Sequence, residues 1–300
     1  MELERLVADR GGLVSRSELR TAGYGRRSAR TRAGLLVPVR RGAYADPARL
    51  VVANDLDLLA LRIAAACRAS SVELIAVGRT AAALQRLPVL GRDDGRLHLA
   101  ERKSTRSHHG ASTTVDEADL VRVRGVLCTG LARTAMDIAR GSGFCSGVLA
   151  ADAALRAGVT RADLLRVLEE CRGWPGVKQA RQVAEFADGR SESALESLGR
   201  VRFHEHGLPP HELQLPVYDD DGLVAYVDHA WPERRTVAEA DGALKYKGQA
   251  DLFAEQQRED RIRDAQLEVV RYTWPEALRR PAVLAARMLR AFARAERFTR

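Results

Sequence analysis

Apolar spacing at the start of the chain is helical. Leu3, Leu6 and Val7 give a short helix one apolar face, and Gly11-Gly12 ends it. Ser15 stands three residues before Glu18, the spacing at which a hydroxyl and a carboxylate cap a helix start reciprocally. A second helix therefore begins there and stops at Gly23. Tyr24-Gly25 makes a turn, and a third helix is predicted over 26–33, ended by Gly34. The stretch 35–44, with Pro38 and Gly42, reads as a two-stranded wing. Helix, helix, turn, helix and ribbon is the order of a winged helix-turn-helix.

Beyond residue 50 the pattern changes. Helices are predicted over 58–69, 80–87, 134–139, 148–156 and 161–170, and strands over 72–77, 97–100 and 120–123. Thr160 and Asp163 supply an N-cap and a first-turn acid to the last of these helices. A boundary falls near Ala187-Asp188-Gly189-Arg190. After it come a helix over 193–206 and strands over 212–218, 223–229 and 235–241. A charged helix over 251–266, a strand over 267–273 and a closing helix from about 275 complete the chain. Asp219-Asp220-Asp221-Gly222 is a hairpin turn, and Trp231-Pro232-Glu233-Arg234 turns again. The expected fold class is α+β in three units: a winged helix-turn-helix over 1–50, a mixed α/β middle unit over 51–188, and an α+β unit of nuclease type over 189–300.

Charge changes the picture for the first unit. The net charge of +8 and pI near 9.7 favour nucleic acid or an anionic surface as partner. Arg26, Arg27, Arg30 and Arg32 lie on the predicted third helix, Arg16 and Arg20 on the second, and Arg40 and Arg41 in the wing. Glu18 is the one acid among them, and capping occupies it. Arginine neutralises phosphate and also pairs bidentately with guanine in the major groove, so double-stranded DNA is the expected partner. The competing reading is a small basic helical unit that binds a protein. A basic loop with Arg102, Lys103, Arg106, His108 and His109 is read as solvated rather than as a phosphate contact.

No stretch approaches the roughly 20 apolar residues that span a bilayer, and the first ten residues lack a signal-peptide core, so no membrane partner and a cytoplasmic location are expected. Cys67, Cys128, Cys145 and Cys171 are far apart, which fits reduced thiols rather than a zinc site or a disulfide framework.

The candidate chemistry lies in the last unit, at Glu196, Asp228, Glu239 and Asp241. Glu239 and Asp241 are two apart on one strand and share a face. Asp228 ends the preceding strand and comes within diagonal reach of them. Carboxylates gathered at the apolar centre of a sheet repel each other, and a divalent cation is the simplest compensation. Oxygen ligands of this kind (Asp228, Glu239 and Asp241) suit Mg2+ or Mn2+, and such a site cleaves phosphodiesters. Glu196, on the helix before the strands, completes the set. Lys245 or Lys247 would orient the water or neutralise the phosphate, and Gln256, Gln257 and Arg258 would support the site. The competing reading is an acid cluster at a sheet edge, paired with Arg234, Arg235 and the lysines. His204, His206 and His211 read as surface or packing histidines. Trp174, Trp231 and Trp274, each before a proline, read as turn anchors and core plugs.

The segment LVADRGGLVSRSELRTAGYGRRSARTRAGLLVPVRRGAYA resembles the N-terminal winged helix of AbiEi-type antitoxins of type IV toxin–antitoxin systems. GRTAAALQRLP and CTGLARTAMDIAR are similar to phrases in long relatives of that group. SESALES, VDHAWPERRTVAEADGALKY and LEVVRYTW resemble a domain related to the very-short-patch mismatch-repair endonucleases, of PD-(D/E)XK type. The first resemblance implies a transcriptional regulator that binds promoter DNA and has a cognate toxin as partner. The second implies a magnesium-dependent endonuclease with Asp228, Glu239 and Glu196 as its acids. The E-x-K tripeptide of that superfamily is Glu239-Ala240-Asp241 here. Either Lys245 or Lys247 substitutes for the missing lysine, or Asp241 is a further ligand, or the unit binds without cutting. Oligomeric state is not legible in the sequence.

Overall fold

The computed structural model describes residues 3–24, 36–40, 42–48, 54–92, 94–102, 115–220, 222–242, 261–262 and 264–299. At the N-terminus, α1 (Leu3–Asp9) buries Leu3, Leu6 and Val7. The strand β1 (Leu13–Ser15) leads into α2 (Arg16–Thr21). The Ser15–Glu18 capping box forms as the spacing requires: the Glu18 amide donates to Ser15 Oγ at 3.2 Å, and the Ser15 amide donates to Glu18 Oε2 at 2.7 Å. The strands β2 (Val37–Arg40) and β3 (Ala43–Ala45) pair antiparallel, and β3 also pairs with β1, giving the order β1-β3-β2. The expected ribbon is present. The third helix expected over 26–33 lies outside the described residues.

The helix α3 (Asp55–Arg68) starts three residues earlier than periodicity indicates, because Asn54 and Asp57 form a second capping box. It serves two cores. Leu61 and Ala65 pack on Leu13, Ala43 and Ala45, while Ala60, Ile63 and Ala66 face the next sheet. That sheet holds β4 (Leu74–Ala76), β5 (Leu99–Glu101), β6 (Leu120–Val123) and β7 (Val126–Thr129) in the order β5-β4-β7-β6, with α4 (Gly78–Leu84) after β4. The strand β7 is not predicted from the sequence. A two-residue turn, Arg124 and Gly125 at φ 50° and 78°, creates it, matching the twist of a tight hairpin. Four helices follow: α5 (Leu131–Gly141), α6 (Phe144–Arg156), α7 (Arg161–Glu170) and α8 (Val177–Phe186). The first two are longer than predicted, and α8 is an addition.

The last part begins with α9 (Ala194–Glu205), capped by Ser193. Then come β8 (Glu212–Asp219), β9 (Gly222–Trp231), β10 (Thr236–Asp241) and β11 (Glu268–Thr273). The order is β11-β10-β9-β8: three antiparallel strands in a meander, with β11 parallel to β10. Two helices, α10 (Trp274–Arg279) and α11 (Pro281–Ala295), replace the single closing helix, because Pro281 cannot continue the first. Most of the predicted helix over 251–266 lies outside the described residues; Ile262 is buried with Val217, Val227 and Val237. The chain is α+β throughout, and among the described residues no helix is long and apolar enough to cross a membrane.

The core of this last part closes tightly on Gly199. A Cβ there would stand 2.1 Å from the Tyr272 hydroxyl, and the tyrosine is fully buried. Gly199→Ala is expected to cost at least the roughly 1–3 kcal/mol typical of overpacking, read as a lower urea midpoint. A midpoint equal to wild type would show that the α9–β11 contact is loose.

Candidate active site

Four elements converge on one cluster of side chains. The helix α9 presents Glu196, β8 presents Gln214, β9 presents Asp228 and β10 presents Glu239. Glu196, Asp228 and Glu239 are 5 %, 9 % and 4 % exposed. That level of burial is unusual for ionisable groups. Gln214, Asp228 and Glu239, together with Glu192, Val224, Ala225 and Tyr226, line a cleft of about 560 Å3. Asp228 is not at a strand end, as expected, but inside β9, which runs on to Trp231. The β9–β10 ladder stops at Ala238↔His229. Beyond it the Asp228 carboxylate takes over, accepting the Ala240 amide on Oδ2 at 2.7 Å.

Glu196 Oε2 accepts from the Glu192 amide at 2.7 Å and from Gln214 Nε2 at 3.1 Å. The same Gln214 nitrogen reaches Asp228 Oδ1 at 3.4 Å. Burial, and next the charge of Asp228, push the Glu196 carboxyl above its ordinary value. The Tyr272 phenol is driven well up by burial and by the charges of Asp228, Glu196 and Glu239. The three acids thus form one region of negative potential. Arg234 and Arg235, which the edge-cluster reading pairs with these acids, turn elsewhere: Arg234 bonds Glu296 at 2.8 Å and Arg235 bonds Gln266 at 2.6 Å.

The remaining expected residues divide. Asp241 is on β10 but half-buried at its end, opposite Thr273. Among the described residues no three His, Cys, Asp or Glu side chains make a ready-made metal cage. The donor set nevertheless suits a hard divalent cation in kind, being all oxygen and rich in negative charge. Lys245, Lys247, Gln256, Gln257 and Arg258 lie outside the described residues, as do Arg26, Arg27, Arg30, Arg32, Arg41 and the side chain of Arg40. Arg16 and Arg20 are described and exposed on α2. In the basic loop, Arg102 is held by Glu73 at 2.7 Å and Glu117 at 2.6 Å; Lys103, Arg106, His108 and His109 lie outside the described residues. The four cysteines are separate free thiols. Trp231 is buried and Trp174 takes Arg133 and Arg140 over its ring, whereas Trp274 is 36 % exposed.

Sequence reasoning did not find Gln214, Glu192, His229 or Tyr272. His204 and His206 are exposed, but His211 belongs to a buried chain. Its Nε2 meets His229 Nδ1 at 3.0 Å, and His229 Nε2 meets the Tyr272 hydroxyl at 2.7 Å. The hydroxyl also reaches Leu195 O at 3.3 Å. Only the hydrophobic spacing of β9 and β11 hinted that these polar groups turn inward.

Burial lowers His211 to about 4 and holds His229 well below its ordinary value, so both imidazoles are neutral in the fold. The unfolded chain takes up these protons near pH 6.5, and the folded chain does not. Stability from this source is therefore full above pH 6.5 and lost as pH falls toward about 4. Glu196 and Asp152, whose carboxyls are raised by burial, act in the opposite sense. The contribution is isolated by comparing urea midpoints of wild type and His211→Gln across that window. The variant is expected to lose less on acidification; parallel curves would deny the neutral imidazole at 211.

No family model matches the chain, and no solved structure matches it. Two curated relatives, uncharacterized proteins from two strains of Mycobacterium tuberculosis, are each 36 % identical over 179 residues. The match covers 59 % of this chain and 66 % of each relative, just under two thirds of their length.

Proposed function

We propose that the protein binds double-stranded DNA through residues 1–50 and hydrolyses a phosphodiester at the Asp228–Glu239 cleft beside Glu196, as a Mg2+- or Mn2+-dependent endonuclease. The observation that carries this reading is the pair of buried carboxylates, Asp228 and Glu239, that line one open cleft, with buried Glu196 joined to Asp228 through Gln214 Nε2. Buried carboxylates of like charge repel one another, and a divalent cation bound among them would offset that repulsion. Asp228 and Glu239 would hold the cation, with Asp241 at its margin. When bound, the cation neutralises the phosphate and acidifies a water. Glu196, whose carboxyl is raised by burial and by the charge of Asp228, would support the site by holding the Gln214 amide. The β1-β3-β2 sheet with exposed Arg16 and Arg20 supports the targeting role of the first unit.

A second reading has its own support in Glu239-Ala240-Asp241, which lacks the lysine of E-x-K sites. On that reading the protein is an antitoxin-like DNA-binding regulator, with a cognate toxin as partner, and its C-terminal unit does not cut. Supercoiled plasmid incubated with Mg2+ or Mn2+, and with chelator, decides between them. Cation-dependent nicking that Asp228→Asn abolishes supports the endonuclease. Plasmid that is retarded but uncut, with binding that weakens steeply as salt rises, selects the regulator.

A further inference from the structure

We infer that Gln214 is a working member of the carboxylate site, with its amide held between Glu196 and Asp228 to present its carbonyl oxygen to a bound cation. This rests on the cation reading above and adds a residue to it.

The inference starts from the backbone. Gln214 has φ 52°, a left-handed conformation that a side chain rarely adopts, inside β8. Its neighbours keep register, Leu213 with His229 and Leu215 with Val227, so Gln214 stands opposite Asp228. Strain of this kind persists only where the surroundings enforce it, and here its result is specific. One amide nitrogen serves two carboxylates, at 3.1 Å to Glu196 and 3.4 Å to Asp228. Its two hydrogens relieve the repulsion between the acids without cancelling their charge.

A primary amide carries a donor and an acceptor of nearly the same shape. A cation among the acids repels the NH2 group and attracts the oxygen. Half a turn about the last side-chain bond exchanges them and leaves the backbone as it is. Gln214 thus bridges the carboxylates without the cation and joins the oxygen donors with it. A residue present only for packing would not need to face two acids from a strained position.

The test uses full-length protein and Mn2+ alone, with binding read by calorimetry and folding by thermal melts. Glycine adopts φ 52° freely, so Gln214→Gly removes both the strain and the amide. It is expected to remain folded with a cooperative melt without cation, the relief of strain offsetting part of the lost amide bonds, yet to bind Mn2+ about 10- to 100-fold more weakly, the range for groups that support metal ligands. Gln214→Glu, which adds a charge to the cluster, is expected to melt lower without cation and to recover on adding Mn2+. Wild-type affinity in Gln214→Gly overturns the role of Gln214 and leaves the cation reading standing. Wild type that takes up no Mn2+ overturns that reading and this inference with it.

Discussion

Asp228→Asn is expected to reduce plasmid cleavage by at least about 10^2–10^3-fold, the loss typical when a preorganised electrostatic group is removed, while the protein stays folded. The substitution preserves shape. The Asn carbonyl still accepts the Ala240 amide that Asp228 Oδ2 takes at 2.7 Å, so the backbone beyond the end of the β9–β10 ladder keeps its partner. Electrostatics change instead. The Asp228 charge raises Glu196 and Tyr272, so its removal lets both relax toward their ordinary values and lowers the strain of burying like charges. Melting temperature should therefore hold or rise as activity falls, the opposition expected where function and stability compete. Cleavage unchanged in the variant would place any nuclease centre elsewhere. Cleavage lost together with the fold would mean that Asp228 serves structure alone.

How much of this was legible in the sequence depends on whether a local rule governed it. The capping box at Ser15–Glu18 and the N-cap and first-turn acid at Thr160 and Asp163 were readable because the partners lie three residues apart; that the second pair also bonds reciprocally came from the structure. The meander of β8, β9 and β10 was readable because turn residues punctuate alternating strands. The convergence of Asp228 and Glu239 followed from that meander. Gln214 was not readable. Its placement depends on a backbone torsion and on acids 18 residues before and 14 residues after it, and nothing in the string L-Q-L announces a left-handed glutamine. The same holds for His229 and Tyr272, 43 residues apart and joined only by the fold. Tertiary context also altered the reading of α3: its apolar residues serve two different sheets, which periodicity alone cannot divide.

The junction near residue 188 carries the largest stability effect. Asp152 of α6 is fully buried, and both its oxygens take Arg200 Nη2 of α9 at 3.0 Å, while Oδ1 also accepts the Asp188 amide at 2.8 Å. Arg200 lies over the Phe186 ring at 4.5 Å and donates to Phe186 O at 3.1 Å. The pair therefore fastens the helix of the carboxylate site to the helices before it. Asp152→Ala leaves a buried guanidinium without its carboxylate, for which about 3–5 kcal/mol of destabilisation is expected, measured as the shift in urea unfolding. Asp152→Ala combined with Arg200→Met removes both charges and refills part of the space, and should cost much less than Asp152→Ala alone. Equal losses in the two proteins would show that packing around α6, not the ion pair, sets the cost. Glu196 lies one helical turn before Arg200, on the same face of α9. Cleavage should accordingly fall in Asp152→Ala and return in the double variant, because the position of Glu196 depends on α9 being held rather than on the charge that holds it.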